Sequence, residues 1–142
     1  MNSRVKAMIL VAGGINVLFF LFHLMFHTLF NWKETLACLS HGNWAIFQTF
    51  YLGSLLIVGT MAYVSLRFPT DLYATRLGKS ISVTFSLYYV IRIVAQFLFF
   101  GFTGAMSFVI VALCAVPAII YMWATFYSTK ETETTPPATK QV

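Results

Sequence analysis

The sequence predicts an all-α integral membrane protein, a four-helix up-down-up-down bundle with both termini in the cytoplasm. Three observations carry that prediction. The first is composition: of 142 residues, 59% are hydrophobic and 9% are charged, and the mean hydropathy is +0.80. A soluble domain carries about 25% charged residues because its surface faces water. Nine basic and four acidic side chains cannot cover a chain of this length. The second is that four stretches, roughly 6–30, 44–66, 80–100 and 105–127, reach the ~20 apolar residues that a crossing helix needs. The third is the placement of Lys and Arg, which accumulate in cytoplasmic loops. Arg4 and Lys6 lie at the start of the first stretch. Arg67, Arg76 and Lys79 separate the second from the third, and Lys130 and Lys140 follow the fourth. The first outer loop holds Lys33 offset by Glu34, and the last holds no charge.

This composition excludes a soluble globular protein, a disordered chain and a nucleic-acid binder whose basic patch is solvated. The net charge of +5 is accounted for by topology, with anionic lipid headgroups as a further contribution. The expected location is a bacterial-type inner (plasma) membrane, and the expected partners are the lipid bilayer and a membrane-protein partner or a second copy.

Each element follows in order. The first apolar run is about 25 residues, against 7–15 for a signal-peptide core, and no A-x-A-type site follows it; it reads as a retained span. Trp32 and Trp44 bracket the next loop, as aromatic anchors do at a membrane interface. Leu36 and Leu39 there suggest a short surface helix, and Asn43 an N-cap for the second span. Pro69 disfavours helix at Phe68 and closes that span. The turn Gly101-Phe102-Thr103-Gly104 makes the third and fourth helices an antiparallel hairpin, and Pro117 is expected to kink the fourth. Residues 1–128 thus form one transmembrane domain. The Thr- and Pro-rich residues 129–142 are expected to be a disordered cytoplasmic tail. Cys114 lies about nine residues, or roughly 13 Å, from the end of its span, so no disulfide with Cys38 in the loop is expected.

Polar residues are costly at membrane depth, and their placement is informative. Asn16, His23 and His27 share one face of the first span, and Gln48 and Tyr51 one face of the second. Ser82, Ser86, Tyr89, Arg92 and Gln96 form a stripe on the third, and Ser107, Cys114 and Tyr121 recur every seven residues on the fourth. These faces are expected to meet inside the bundle. His23, His27, Gln48, Tyr51, Arg92 and Gln96 fall roughly 4–13 Å below the outer boundary at 1.5 Å per residue, which predicts a polar, cationic pocket in the outer half.

Arg92 stays charged at any physiological pH. The four acids are Glu34, Asp71, Glu131 and Glu133, and none lies in a span. Arg92 therefore snorkels, hydrogen-bonds Gln96, Tyr89 and carbonyls, meets an acid on another chain, or binds an anion such as a haem propionate, a quinone oxygen or a lipid phosphate. His23 and His27 at i, i+4 form a two-ligand metal half-site, to which His41 and Cys38 would add third and fourth ligands for zinc, iron or copper. The alternative is that these histidines are structural. Haem b needs an axial histidine; the membrane histidines all lie on one helix, which leaves a single-His haem, or His41 or a second protomer as the other ligand.

No G-x-S-x-G, P-loop or G-x-G-x-x-G stands in the chain, no carboxylate pair is in register, and no membrane acid supports a carboxylate relay. The expected function is a ligand- or cofactor-binding membrane subunit. Arg92, Gln96, Gln48, Tyr51 and Tyr89 are its candidate ligand-binding residues, and His23, His27, His41 and Cys38 its candidate metal ligands. A non-catalytic auxiliary or assembly subunit is the alternative, and a metal-dependent membrane enzyme the third reading.

Overall fold

The computed structural model describes residues 3–101 and 104–133, with side chains as far as residue 126. All regular elements among them are helical: α1 (Ser3–Leu24), α2 (Phe26–Leu29), α3 (Trp32–Thr35), α4 (His41–Arg67), α5 (Asp71–Ala74), α6 (Arg76–Ala95), a π-helical turn (Gln96–Phe100) and α7 (Ala105–Glu133). Four stretches are long and apolar enough to cross a membrane: Ser3–Leu24, His41–Arg67, Arg76–Phe100 and Ala105–Phe126. Many of their large apolar side chains point outward, with Phe50 76% and Phe99 80% exposed, while Asn16, Ser65 and Ser82 are fully buried, as are apolar residues such as Ile9 and Met61. Apolar exposure on this scale, with polar side chains turned inward, is the pattern of helices solvated by lipid. Most of the polar stripes read from the sequence do turn inward: Ser86, Tyr89, Gln96, Ser107, Cys114 and Tyr121 are buried as well.

The contacts divide the chain into two units, Leu10–Arg67 and residues 3–9 with 68–133. Each contains an antiparallel pair of long helices. In Leu10–Arg67, Gly13 lies against Ser65 and Leu66, and Gly59 lies against Phe20. As α1 advances from 13 to 20, its partner positions on α4 run back from 66 to 59. Small residues permit this approach: a Cβ on Gly13 would stand 2.9 Å from Leu66 Cδ2. In the other unit the Ser86 hydroxyl donates to the Ala118 carbonyl at 2.9 Å, and Phe85 packs edge-on against Tyr121 at 5.4 Å. The α6–α7 hairpin expected from the Gly101–Gly104 turn is thus present.

Several boundaries differ from the sequence reading. The first span does not run unbroken to residue 30. It ends at Leu24, with the Met25 amide bonding back to the Phe22 carbonyl at 3.1 Å, a tighter i→i−3 closure. Asn31 then adopts a left-handed conformation, φ 45°, which Asn tolerates better than most residues. The loop helix falls at Trp32–Thr35 rather than around Leu36 and Leu39, held by Asn31 Nδ2 donating to Glu34 at 2.6 Å. The second long helix begins at His41, and its cap is Ser40 rather than Asn43: the Ser40 hydroxyl accepts from the Asn43 amide at 3.4 Å. The third begins at Arg76, because the Thr75 hydroxyl caps it by accepting from the Gly78 amide at 2.9 Å. The fourth continues to Glu133 with Pro117 inside it. Of the expected tail, residues 134–142 lie outside the described residues.

Candidate functional site

Within Leu10–Arg67 the break at Met25 decides the local chemistry. It places His23 at the end of α1 and His27 on α2, so the two imidazoles do not share one continuous helical face. His23 Nδ1 lies 2.7 Å from the Phe19 carbonyl. A carbonyl only accepts, so Nδ1 carries the proton and donates. The His23 ring also stacks on Phe26 at 4.5 Å. His27 is exposed and meets Trp32 edge-on at 4.7 Å and Tyr51 at 5.1 Å. Tyr51 is buried and donates its hydroxyl to the His23 carbonyl at 3.0 Å, fastening α4 to the end of α1. Trp32 is held edge-on by Phe47 at 4.8 Å and Tyr51 at 4.9 Å.

Beside this aromatic cluster lies a cavity of about 290 Å³, lined by His27, Trp32, Lys33, Leu36, Ala37, Trp44 and Gln48. That is the lower end of small-molecule sites, which are mainly apolar with a few convergent polar groups. Its polar lining is an imidazole, an ammonium and an amide, with no carboxylate. Two of the expected binding residues behave differently. Gln48 lines the cavity, whereas Tyr51 supports Trp32 and His27 from behind.

The expected metal set is not assembled. Among the described residues no three His, Cys, Asp or Glu side chains lie close enough to hold a metal ion. His23, His27, His41 and Cys38 therefore do not converge. His23 and His27 stand on separate helices, His23 Nδ1 donates to the Phe19 carbonyl, which leaves Nε2 as its one ligand atom, and His41 stacks on Trp44 at 6.4 Å. Cys38 is exposed, its thiol 3.8 Å from the Thr35 carbonyl. For haem, His27 is the one histidine in the cavity wall.

The remaining expected residues, Tyr89, Arg92 and Gln96, belong to the other unit. Tyr89 and Gln96 are buried, and the Gln96 amide donates to the Gly101 carbonyl at 3.3 Å, across the π turn. Arg92 is part-exposed. Its guanidinium carbon sits 5.1 Å from the centre of the Phe100 ring, a cation–π contact. Its Nη1 is buried without a hydrogen-bond acceptor.

Sequence reasoning missed Trp32, Lys33, Leu36, Ala37 and Trp44 as cavity lining and Phe100 as the ring beneath Arg92. The tryptophans were visible, but their spacing reads equally as interfacial anchors. Comparisons with protein-family models, curated proteins and solved structures find no match for the chain.

Proposed function

We propose that this polytopic membrane protein binds a flat, carbonyl-bearing amphiphile, quinone-like in its chemistry, in the cavity lined by Trp32 and Trp44. One observation carries the reading: the cavity combines aromatic walls with His27, Lys33 and Gln48, and no acid lines it. Imidazole and amide N–H groups suit carbonyl oxygens, and the ammonium favours any negative charge that develops on them. Indole faces suit a planar ring. Both termini lie in the cytoplasm in this reading, as the Lys and Arg placement indicates. The cavity then opens at the outer face, where a lipid-soluble ligand arrives from the bilayer.

The test is intrinsic fluorescence. Trp32 and Trp44 are two of the three tryptophans in the chain, and quinones quench indole emission on contact. Titrating the detergent-purified protein with a short-chain benzoquinone should give saturable quenching that survives in Trp123→Phe. His27→Ala and Gln48→Leu should each weaken binding about five- to ten-fold, the worth of one hydrogen bond. Quenching that never saturates, or that both variants leave unchanged, would overturn the reading.

A further inference from the structure

We propose that Arg92 and Phe100 form a binding site for a phospholipid phosphate, in the leaflet next to the α6–α7 turn. Arg92 is a permanent cation inside a membrane-spanning helix. Neither this chain nor a second copy of it offers a counter-charge there, since Glu34, Asp71, Glu131 and Glu133 all lie outside the four spans. The anion must come from the surroundings.

Geometry indicates which anion. Side chains on a helix tilt toward its N-terminus, yet the Arg92 head meets the ring of Phe100, eight residues toward the C-terminus. Eight residues correspond to about 12 Å of α-helical rise, and somewhat less here because Gln96–Phe100 is a π turn. The guanidinium has leaned out of the bilayer interior toward the end of its span at Phe100, the movement of a snorkelling side chain. A carboxylate on a partner helix would be met at the depth of Arg92 itself and requires no such lean; headgroup phosphates lie where the lean leads. Phe99 and Phe100 are exposed and form an apolar rim against acyl chains. Buried Nη1 has no acceptor, so the ligand takes the other edge of the guanidinium. Because the charge is delocalised over the plane, a phosphate on that edge offsets the charge of the whole guanidinium. An arginine fork matches phosphate in two-point geometry, which a lysine does not.

The test is native mass spectrometry of the full chain released from maltoside micelles after exchange with phosphatidylglycerol. The wild type should retain one phospholipid that Arg92→Gln loses. A galactolipid with the same acyl chains and no phosphate should not be retained, and millimolar inorganic phosphate should not displace the phospholipid. Arg92→Gln removes an intramembrane charge and should fold, which far-UV circular dichroism checks. Phe100→Leu, which keeps the cation and removes the ring, should retain the lipid at reduced occupancy. Equal retention by wild type and Arg92→Gln would overturn the proposal. So would displacement by free phosphate, or a co-purifying protein that Arg92→Gln loses while lipid retention holds.

Discussion

The two helical hairpins use the same materials and satisfy their polar groups differently. In Leu10–Arg67 the Tyr51 hydroxyl bonds to the His23 carbonyl and the His23 imidazole to the Phe19 carbonyl. The connecting segment folds into a cluster of rings around Trp32 beside the cavity. In the unit of residues 3–9 and 68–133, two buried polar atoms, Tyr73 Oη and Arg92 Nη1, have no hydrogen-bond partner. The α1–α4 connection is long enough to carry side chains of its own, and those build a concave surface. The α6–α7 connection spans only the four residues between Phe100 and Ala105, and the special residue of this unit is a cation on the helix itself. Loop length separates a pocket made by a connection from a charge carried on a span.

Glycine substitutions should show the largest contrast. A Cβ on Gly78 would stand 2.6 Å from the Asp71 carbonyl carbon and 2.8 Å from Leu72 Cα, both backbone, whereas on Gly59 it would meet the Phe20 ring at 3.2 Å. A ring swings aside and a backbone does not. Gly78→Ala should cost about 3 kcal/mol or more in detergent unfolding, and Gly59→Ala about 1 kcal/mol or less. Similar losses would show that the two units are equally rigid.

Arg92→Gln is next. Charged groups at a helix centre cost about 2.5–3.5 kcal/mol in insertion. Arg92 is part-exposed and rests on Phe100, so it carries only part of that cost. Replacing it should raise stability in lipid-free detergent by about 1 kcal/mol, the cost of the buried Nη1 without an acceptor, read as a shift of the unfolding midpoint. A loss of stability would mean that the guanidinium is satisfied within the protein.

One substitution made in both units should then have opposite signs. Tyr51→Phe breaks the bond to the His23 carbonyl and should destabilise by about 0.6–1 kcal/mol. Tyr73→Phe removes a buried hydroxyl without a partner and should be neutral or stabilising by up to about 1 kcal/mol. Equal effects would mean that the two units satisfy their tyrosine hydroxyls alike.

The smallest perturbation concerns topology. Cys38 is exposed and Cys114 is buried. In the proposed orientation a membrane-impermeant maleimide should label intact cells at Cys38 alone, and Cys38→Ser should abolish the signal. Labelling that requires permeabilised cells would reverse the orientation.

Much of this was legible in the chain. Apolar run length marked all four long helices to within a few residues at most ends, because the cost of exposing backbone to lipid is set by length and composition. The polar stripes announced the burial of most of their members for the same reason, while His27 is exposed and His23, Gln48 and Arg92 are part-exposed. Arg92 was visible as the sole charge away from a span edge, by simple position. Helix ends were less legible. Ser40 and Thr75 cap by a local bond to an amide three residues on, and Asn43 offered an equally good capping side chain. The break at Met25 has no proline or glycine beside it, and it sets His23 and His27 on two separate helices.

By itself, then, the sequence determined the solvent this protein lives in, the number of long helices and the inward polar faces, all of which follow from summed transfer energies along the chain. Only the tertiary structure decided that His23 spends a nitrogen on a carbonyl, that Trp32 and Trp44 wall a cavity with Gln48, and that Arg92 reaches Phe100. Those outcomes depend on side-chain directions and on where one helix stops. Differences of a single hydrogen bond settle them, and residue spacing does not register such differences.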